Sequence, residues 1–218
     1  MELYRLLRIA VNIIEEDALS QIDKGLYVHF TDDPSKFGIH PKRGQQTSGG
    51  PLGLYTYEWA TNSLPYMSFG SSRKFITLIE CLNPESILDT NSYSESDLKS
   101  DISKLNSFVE KRLVNKAISL NKKYIDNGSL DPIFGSPIGM LYYVVSKIPK
   151  NLDPEDPISY GGNNLADYRY FSEVMQKLGY IGIQDQMGLI WKSEPHQTVF
   201  FDMNQLKVVG TFNNPFNK

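Results

Sequence analysis

The sequence predicts an α+β fold, and three observations lead there. Apolar positions recur at three- and four-residue steps near the start and again through the middle of the chain. Short β-rich runs bounded by Gly, Pro and Asn collect in residues 26–82 and again in 179–209. The resulting order of helix, strands, helices, strands segregates the two element types instead of alternating them, which argues against a wound parallel sheet.

Taken in order, Leu3, Leu6, Leu7, Ala10, Val11 and Ile14 form one apolar helical face that ends before Lys24 and Gly25. Residues 26–30 read as a short buried strand stopped by Thr31, Asp32, Asp33 and Pro34, with His29 near its end. Residues 34–53 lack periodicity and read as a long binding loop or lid. Extended structure resumes at 54–57, with a further short piece at 64–69, and residues 75–82 form the strongest strand, ended by Asn83 and Pro84. A helix capped by Ser94 or Ser96 carries Leu98, Ile102, Leu105, Val109, Leu113, Ala117, Leu120 and Tyr124 on one face and stops at Asn127 and Gly128. A shorter apolar helix covers 138–148, and 151–162 is a Pro- and Gly-containing loop. Asn164 caps a helix over 165–178, and Gly179 occupies the left-handed position that follows it.

The stretch 179–209 organises the rest, with short apolar runs punctuated by turn residues. Residues 180–183 and 189–191 read as a hairpin closed by Asp185, Gln186, Met187 and Gly188. The loop 192–197 then sets Glu194, His196 and Gln197 just ahead of a buried strand at 198–201. Polar groups in that position project from a rigid scaffold into the cleft at the strand's end.

Composition narrows the function classes. With 218 residues and 40% hydrophobic content the chain suits one domain, 1–218. A formal net charge of -3 offers no field for bulk nucleic acid or anionic membrane. One cysteine, Cys81, lies in an apolar strand, where an inert thiol is expected, and it fits a reducing, cytoplasmic setting. Three scattered histidines have no metal-binding spacing, so no metal is expected. The amphipathic start is too interrupted for a signal peptide or membrane span. Phosphate-loop, GxGxxG and GxSxG signatures are absent.

His29 taken alone reads as a strand-end histidine bonded to a backbone carbonyl. Its company suggests more. The sets Tyr27-Val28-His29-Phe30-Thr31, Phe37-Gly38-Ile39-His40-Pro41-Lys42 and Pro51-Leu52-Gly53-Leu54-Tyr55-Thr56-Tyr57 resemble the opening of ADP-ribosyltransferase-like domains of bacteria and their phages, of the His-Tyr-Glu, diphtheria-toxin-like type. Leu178-Gly179-Tyr180-Ile181-Gly182-Ile183, then Glu194-Pro195-His196-Gln197-Thr198-Val199-Phe200-Phe201-Asp202, is similar to their closing segment. The likeness spans roughly 25–82 and 165–210 and leaves a helical insertion at about 94–150 unmatched.

That resemblance implies a split antiparallel sheet holding NAD, as substrate, in the cleft between its halves. It places His29 on the adenosine ribose, the Phe30 backbone at the nicotinamide amide, Tyr55 on the nicotinamide ring and Glu194 on a nicotinamide-ribose hydroxyl. Thr31 and Tyr57 fall in the same NAD-binding set; Arg73, after Gly70-Ser71-Ser72, reads on its own chemistry either as a partner for the pyrophosphate, whose oxygens a guanidinium matches, or as an exposed loop arginine. One departure matters: where much of the family has its glutamate, beside the strand at 198–201, this chain has the uncharged Gln197. The implied activity is a mono-ADP-ribosyltransferase acting on a macromolecular acceptor, protein or nucleic acid, as a bacterial toxin or phage effector in the host cytosol, with an inhibitory or antitoxin partner. Two alternatives stand beside it: a non-catalytic nucleotide- or partner-binding protein with a degraded site, and an NAD glycohydrolase.

Overall fold

The computed structural model describes residues 25–39, 51–58, 72–148, 165–189 and 197–214, with the backbone alone for 165–170. The expected helix at 3–14, the short extended piece at 64–69, most of the 34–53 loop, the 151–162 loop and the 190–196 segment lie outside them. The described strands are β1 (Leu26–Thr31), β2 (Leu54–Glu58), β3 (Phe75–Cys81), β4 (Ile87–Asp89), β5 (Gly182–Asp185), β6 (Gln197–Phe200) and β7 (Leu206–Asn213). The helices are α1 (Glu95–Phe108), α2 (Lys111–Asp126), α3 (Pro137–Lys147) and α4 (Leu165–Leu178). The class is therefore α+β, as the segregation of elements predicts.

All seven strands join one sheet in the order β4-β5-β6-β2-β1-β3-β7. It is not wholly antiparallel as expected, because β4 runs parallel to β5. A parallel pair needs a long crossover. The helical segment from α1 to α4, which lies between β4 and β5 in the chain, is that crossover.

Register assigns the faces. Leu88, Ile183, Val199 and Tyr55 stand opposite one another across β4, β5, β6 and β2, and they pack beneath the helices with Leu105, Val114, Leu141, Phe171 and Met175. On the same face, over the other half of the sheet, Leu26, Val28, Ile76 and Leu78 make a separate cluster with Phe30, Val209 and Phe212. The reverse face buries Tyr27, Leu54, Ile79, Cys81 and Phe200, against which Phe37, Ile39 and Met203 pack.

Two sequence expectations need correction. The apolar face running from Leu98 to Tyr124 belongs to two helices, separated where Val109 turns extended at φ -123° and ψ 143°. A straight helix over 95–126 would measure roughly 48 Å, whereas α3 offers about 16 Å of surface. Breaking at Val109 and Glu110 lets Leu105 of α1 and Val114 and Ala117 of α2 reach one core with α3. The second correction concerns β5, whose two edges are taken by β4 and β6, with Leu189 after the turn buried outside any strand; residues 190 and 191 of the expected hairpin lie outside the described residues.

The caps follow the sequence. Ser94 accepts the Asp97 amide while Asp97 accepts the Ser94 amide, a reciprocal capping box. Gly128 and Gly179 both take left-handed φ, 72° and 104°. In each case the following amide reaches back to the fifth residue before it, Ser129 to Tyr124 and Tyr180 to Met175, which satisfies carbonyls left open at the end of α2 and α4.

Asp101 fastens the crossover to the sheet. Its side chain is buried, and Oδ2 accepts from the Tyr93 hydroxyl at 2.9 Å and the Tyr180 hydroxyl at 2.7 Å, while Lys104 Nζ lies 3.2 Å from Oδ1. Tyr93 follows β4 and Tyr180 precedes β5, so one carboxylate on α1 holds both ends of the parallel pair. Burial first, and Asp101 beside it, push both phenol pKa values above their ordinary range and keep the hydroxyls as donors. Asp101→Ala is expected to lower unfolding free energy by about 3 kcal/mol, because two partly buried tyrosine hydroxyls lose their acceptor, and Tyr180→Phe by about 1 kcal/mol. Urea denaturation of the two variants checks the ranking; equal losses would remove Asp101 from this role.

Candidate functional site

The sheet nearly parts between β1 and β2. Those strands pair only at Tyr27 with Glu58 and Val28 with Tyr57, whereas β1 matches β3 over its whole length, Leu26 with Glu80 to Thr31 with Phe75, and β2 matches β6 from Leu54 with Phe200 to Tyr57 with Gln197. Beyond Val28 the backbone ladder stops. There His29 Nδ1 lies 2.9 Å from the Tyr55 carbonyl oxygen. A carbonyl only accepts, so Nδ1 carries the proton and donates. The imidazole thus takes the acceptor that a continued ladder would offer to a β1 amide, and it holds the two halves of the sheet at a fixed opening.

The residues around this opening divide between two faces. His29 shares its face with Thr77 opposite it on β3, and its ring meets Phe37 edge to face at 5.9 Å. Phe30, Tyr55, Tyr57 and Gln197 belong to the other face by register. The Tyr55 hydroxyl donates to the Pro51 carbonyl at 2.8 Å, which fixes the ring half-buried against the helical core. Tyr57 is buried, and the Phe30 ring stands edge-on to it at 5.9 Å. The predicted histidine and tyrosine are therefore brought together, through the Tyr55 backbone instead of through their rings.

The far end of β1 is polar and charged. Thr31, also buried, donates its hydroxyl to the Asp33 carbonyl and accepts the Asp33 amide, both at 3.1 Å. Arg73 pairs with Asp32 at 2.5 Å, and that guanidinium, followed by the Lys74 amide, holds the Asp32 carboxyl below the usual carboxylate range. Asp33 is lowered to about 2, by Lys36 first and then Ser35. Arg73 and Asp32 are about half exposed, so the pair stays within reach of solvent and adds little to stability.

Gln197 opens β6 as a buried side chain, facing Tyr57 on β2 and Asp185 on β5. Glu194 and His196 lie outside the described residues. On the reverse face Gln184 Nε2 donates to Glu58 Oε2 at 2.8 Å, bridging β5 and β2 over β6. Cys81 is buried, and desolvation pushes its thiol up, consistent with an inert residue of the core.

Sequence reasoning took Asp185 for a turn cap. It is one, since Oδ1 accepts the Leu189 amide at 2.8 Å, but it is also a fully buried carboxylate opposite Gln197. The signal that would have found it is the pairing of β5 with β6, which the hairpin reading concealed. Among the described residues no group of His, Cys, Asp and Glu could hold a metal ion, and no helix is long and apolar enough to cross a membrane. No protein-family model, curated protein or solved structure matches the chain.

The His29 bond fixes its tautomer. A nitrogen-detected NMR spectrum at pH 8 is expected to show the neutral ring protonated on Nδ1; a ring protonated on Nε2 in the folded protein would mean that the imidazole does not bridge β1 and β2.

Proposed function

We propose that this chain is an NAD-dependent mono-ADP-ribosyltransferase that modifies a macromolecular acceptor, as a bacterial toxin or phage effector. The observation that carries the reading is the opening of the sheet at His29 and Tyr55, with Gln197 starting the strand beside β2. Those are the positions at which the ADP-ribosyltransferase resemblance puts the cleft for NAD. Supporting it is the order along the chain of the motifs that carry that resemblance.

In this reading the bond between nicotinamide nitrogen and ribose C1′ breaks, its electron pair leaves with nicotinamide, and positive charge builds on the ribose. The acceptor nucleophile then bonds C1′ and gives up its proton. By the resemblance, His29 anchors the adenosine ribose on one face of the sheet, while the Phe30 backbone meets the nicotinamide amide and Tyr55, on the other face, supplies the aromatic surface for the ring. Thr31 and Arg73 lie toward the pyrophosphate, where phosphate oxygens would replace Asp32 as the guanidinium's partner. Glu194 holds the ribose hydroxyl and stabilises the developing charge, and Gln197 positions the acceptor.

Purified protein incubated with labelled NAD and a bacterial lysate is the test. Wild type is expected to release nicotinamide and transfer label. Glu194→Ala should lower transfer about 1000-fold and His29→Ala about 100-fold. Loss with Gln197→Ala while Glu194→Ala stays active would move the catalytic position to residue 197. Nicotinamide release without transfer would identify a glycohydrolase, and neither product from wild type would leave a binding protein.

A further inference from the structure

β7 ends the sheet, and among the described residues no strand pairs with its outer edge. Eight residues without a proline, Leu206–Asn213, make that edge about 27 Å long. An open row of amides and carbonyls of this length is a template for another strand, which is why sheets ordinarily shield their edges. The edge at the other end, β4, has only three residues.

Two bonds fix which way each backbone group points. The Leu82 amide donates to the Gln205 carbonyl and the Asn214 amide to the Lys74 carbonyl, so residues 205 and 214 face β3. Alternation inward from each end turns Lys207, Gly210 and Phe212 toward β3 as well, opposite Glu80, Leu78 and Ile76. Leu206, Val208, Thr211 and Asn213 therefore point their amides and carbonyls outward. The even step breaks between Val208 and Thr211, because Val209 is an extra residue: Val208 stands opposite Ile79, but Gly210 opposite Leu78.

This bulge selects what can add to the edge. A regular strand from another protein repeats its outward groups at every second residue, so it matches either residues 206–208 or residues 211–213 and loses register between them. A second copy of β7 carries the same wider step. Laid antiparallel with a two-fold axis between Val209 and Gly210, it pairs Leu206 with Asn213 and Val208 with Thr211 along the whole strand.

We infer that the outer edge of β7 is a dimer interface, on which a second copy adds its own β7 about a two-fold axis at the Val209 bulge, giving one sheet continuous through both copies. This stands independently of the transferase reading. The side chains agree with the register. Val208, 46% exposed, meets a β-branched threonine. Lys207, the one charged residue of the strand, already pairs with Glu80 at 3.0 Å and comes to face Phe212 of the second copy, roughly 17 Å along the strand from its own counterpart. Like charges are thus kept apart. The rotation also leaves each face of the sheet on its own side. Val209 and Phe212 are half-buried at the rim of the Leu26, Val28, Ile76 and Leu78 cluster, and the Phe212 ring lies over Gly210, 2.8 Å from where a Cβ would stand. Both side chains therefore reach the axis, where the clusters of the two copies join.

Sedimentation velocity over a range of protein concentrations is expected to show a monomer–dimer equilibrium for wild type. Val208→Glu/Thr211→Glu sets carboxylates directly opposite each other at two pairs related by the axis, and should weaken the dimer about 10-fold or more. Val208→Glu/Thr211→Lys changes the same two exposed positions but opposes unlike charges, and should bring the dimer back to within about threefold of wild type. Hydrogen exchange on wild type needs no variant and decides the matter where one fails to fold. The amides of Leu206, Val208, Thr211 and Asn213 should exchange about 10-fold more slowly in concentrated than in dilute protein. Wild type that stays monomeric overturns the inference, whether or not a different chain then adds to the edge. So does a dimer indifferent to the first variant, a loss that the second variant shares, or outward amides whose exchange ignores concentration.

Discussion

The hydrogen bond from His29 Nδ1 to the Tyr55 carbonyl stands where a β1 amide would otherwise bond β2. Side chain replaces backbone at the centre of a seven-stranded sheet, and the two halves open from that point. An opening of this kind is costly for a sheet, because amides and carbonyls that lose their ladder partners must find others. Here the imidazole takes the carbonyl, and each strand keeps its outer neighbour, β3 for β1 and β6 for β2. The clusters beneath the two halves are correspondingly separate, with Leu26, Val28, Ile76 and Leu78 on one side and the helical core on the other.

Elsewhere in the fold, buried polar side chains fix segments whose backbone is not in regular structure. Asp101 gathers two tyrosine hydroxyls and a lysine. Thr90 takes two turn amides, and Asp185 takes a third. The Ser172 hydroxyl donates to the Leu52 carbonyl at 2.5 Å, joining α4 to the approach to β2. Each bond reaches a stretch where the chain enters or leaves the sheet. Net gains per bond are modest, about 1 kcal/mol, but the cost of leaving such a group unpaired makes these ends hard to rearrange.

Much of this was legible in the sequence because local chemistry and the final fold agree. Ser94 with Asp97, Gly128 and Gly179 announce helix ends through side-chain and backbone preferences that act over a few residues. Residues 75–81 read as a strand because both of its faces are buried, Ile76 and Leu78 on one and Ile79 and Cys81 on the other. Pairing was not legible. Ile87–Asp89 is too short to show a period, and its parallel partner β5 lies beyond the whole helical crossover. Periodicity also ran unbroken through Val109, since three- and four-residue spacing looks the same whether one helix continues or two fold onto a common core. In the candidate site, His29 and Tyr55 were visible as residue types near strand ends, while the row of Asp185, Gln197 and Tyr57 exists only once three distant strands are aligned.

That alignment has a temporal side. β2 needs β6 and β3 needs β7, so both halves of the sheet recruit their outer strand from the final stretch of the described chain, residues 197–213. β1, β2 and β3 leave the ribosome first and must wait for those partners. A nascent chain can form its helices from local contacts, yet β2, one wall of the opening beside His29, stays without its outer neighbour until β6 arrives. Synthesis itself therefore keeps the candidate site incomplete, and a message or chain cut short of β6 yields a product in which the residues of that site never meet.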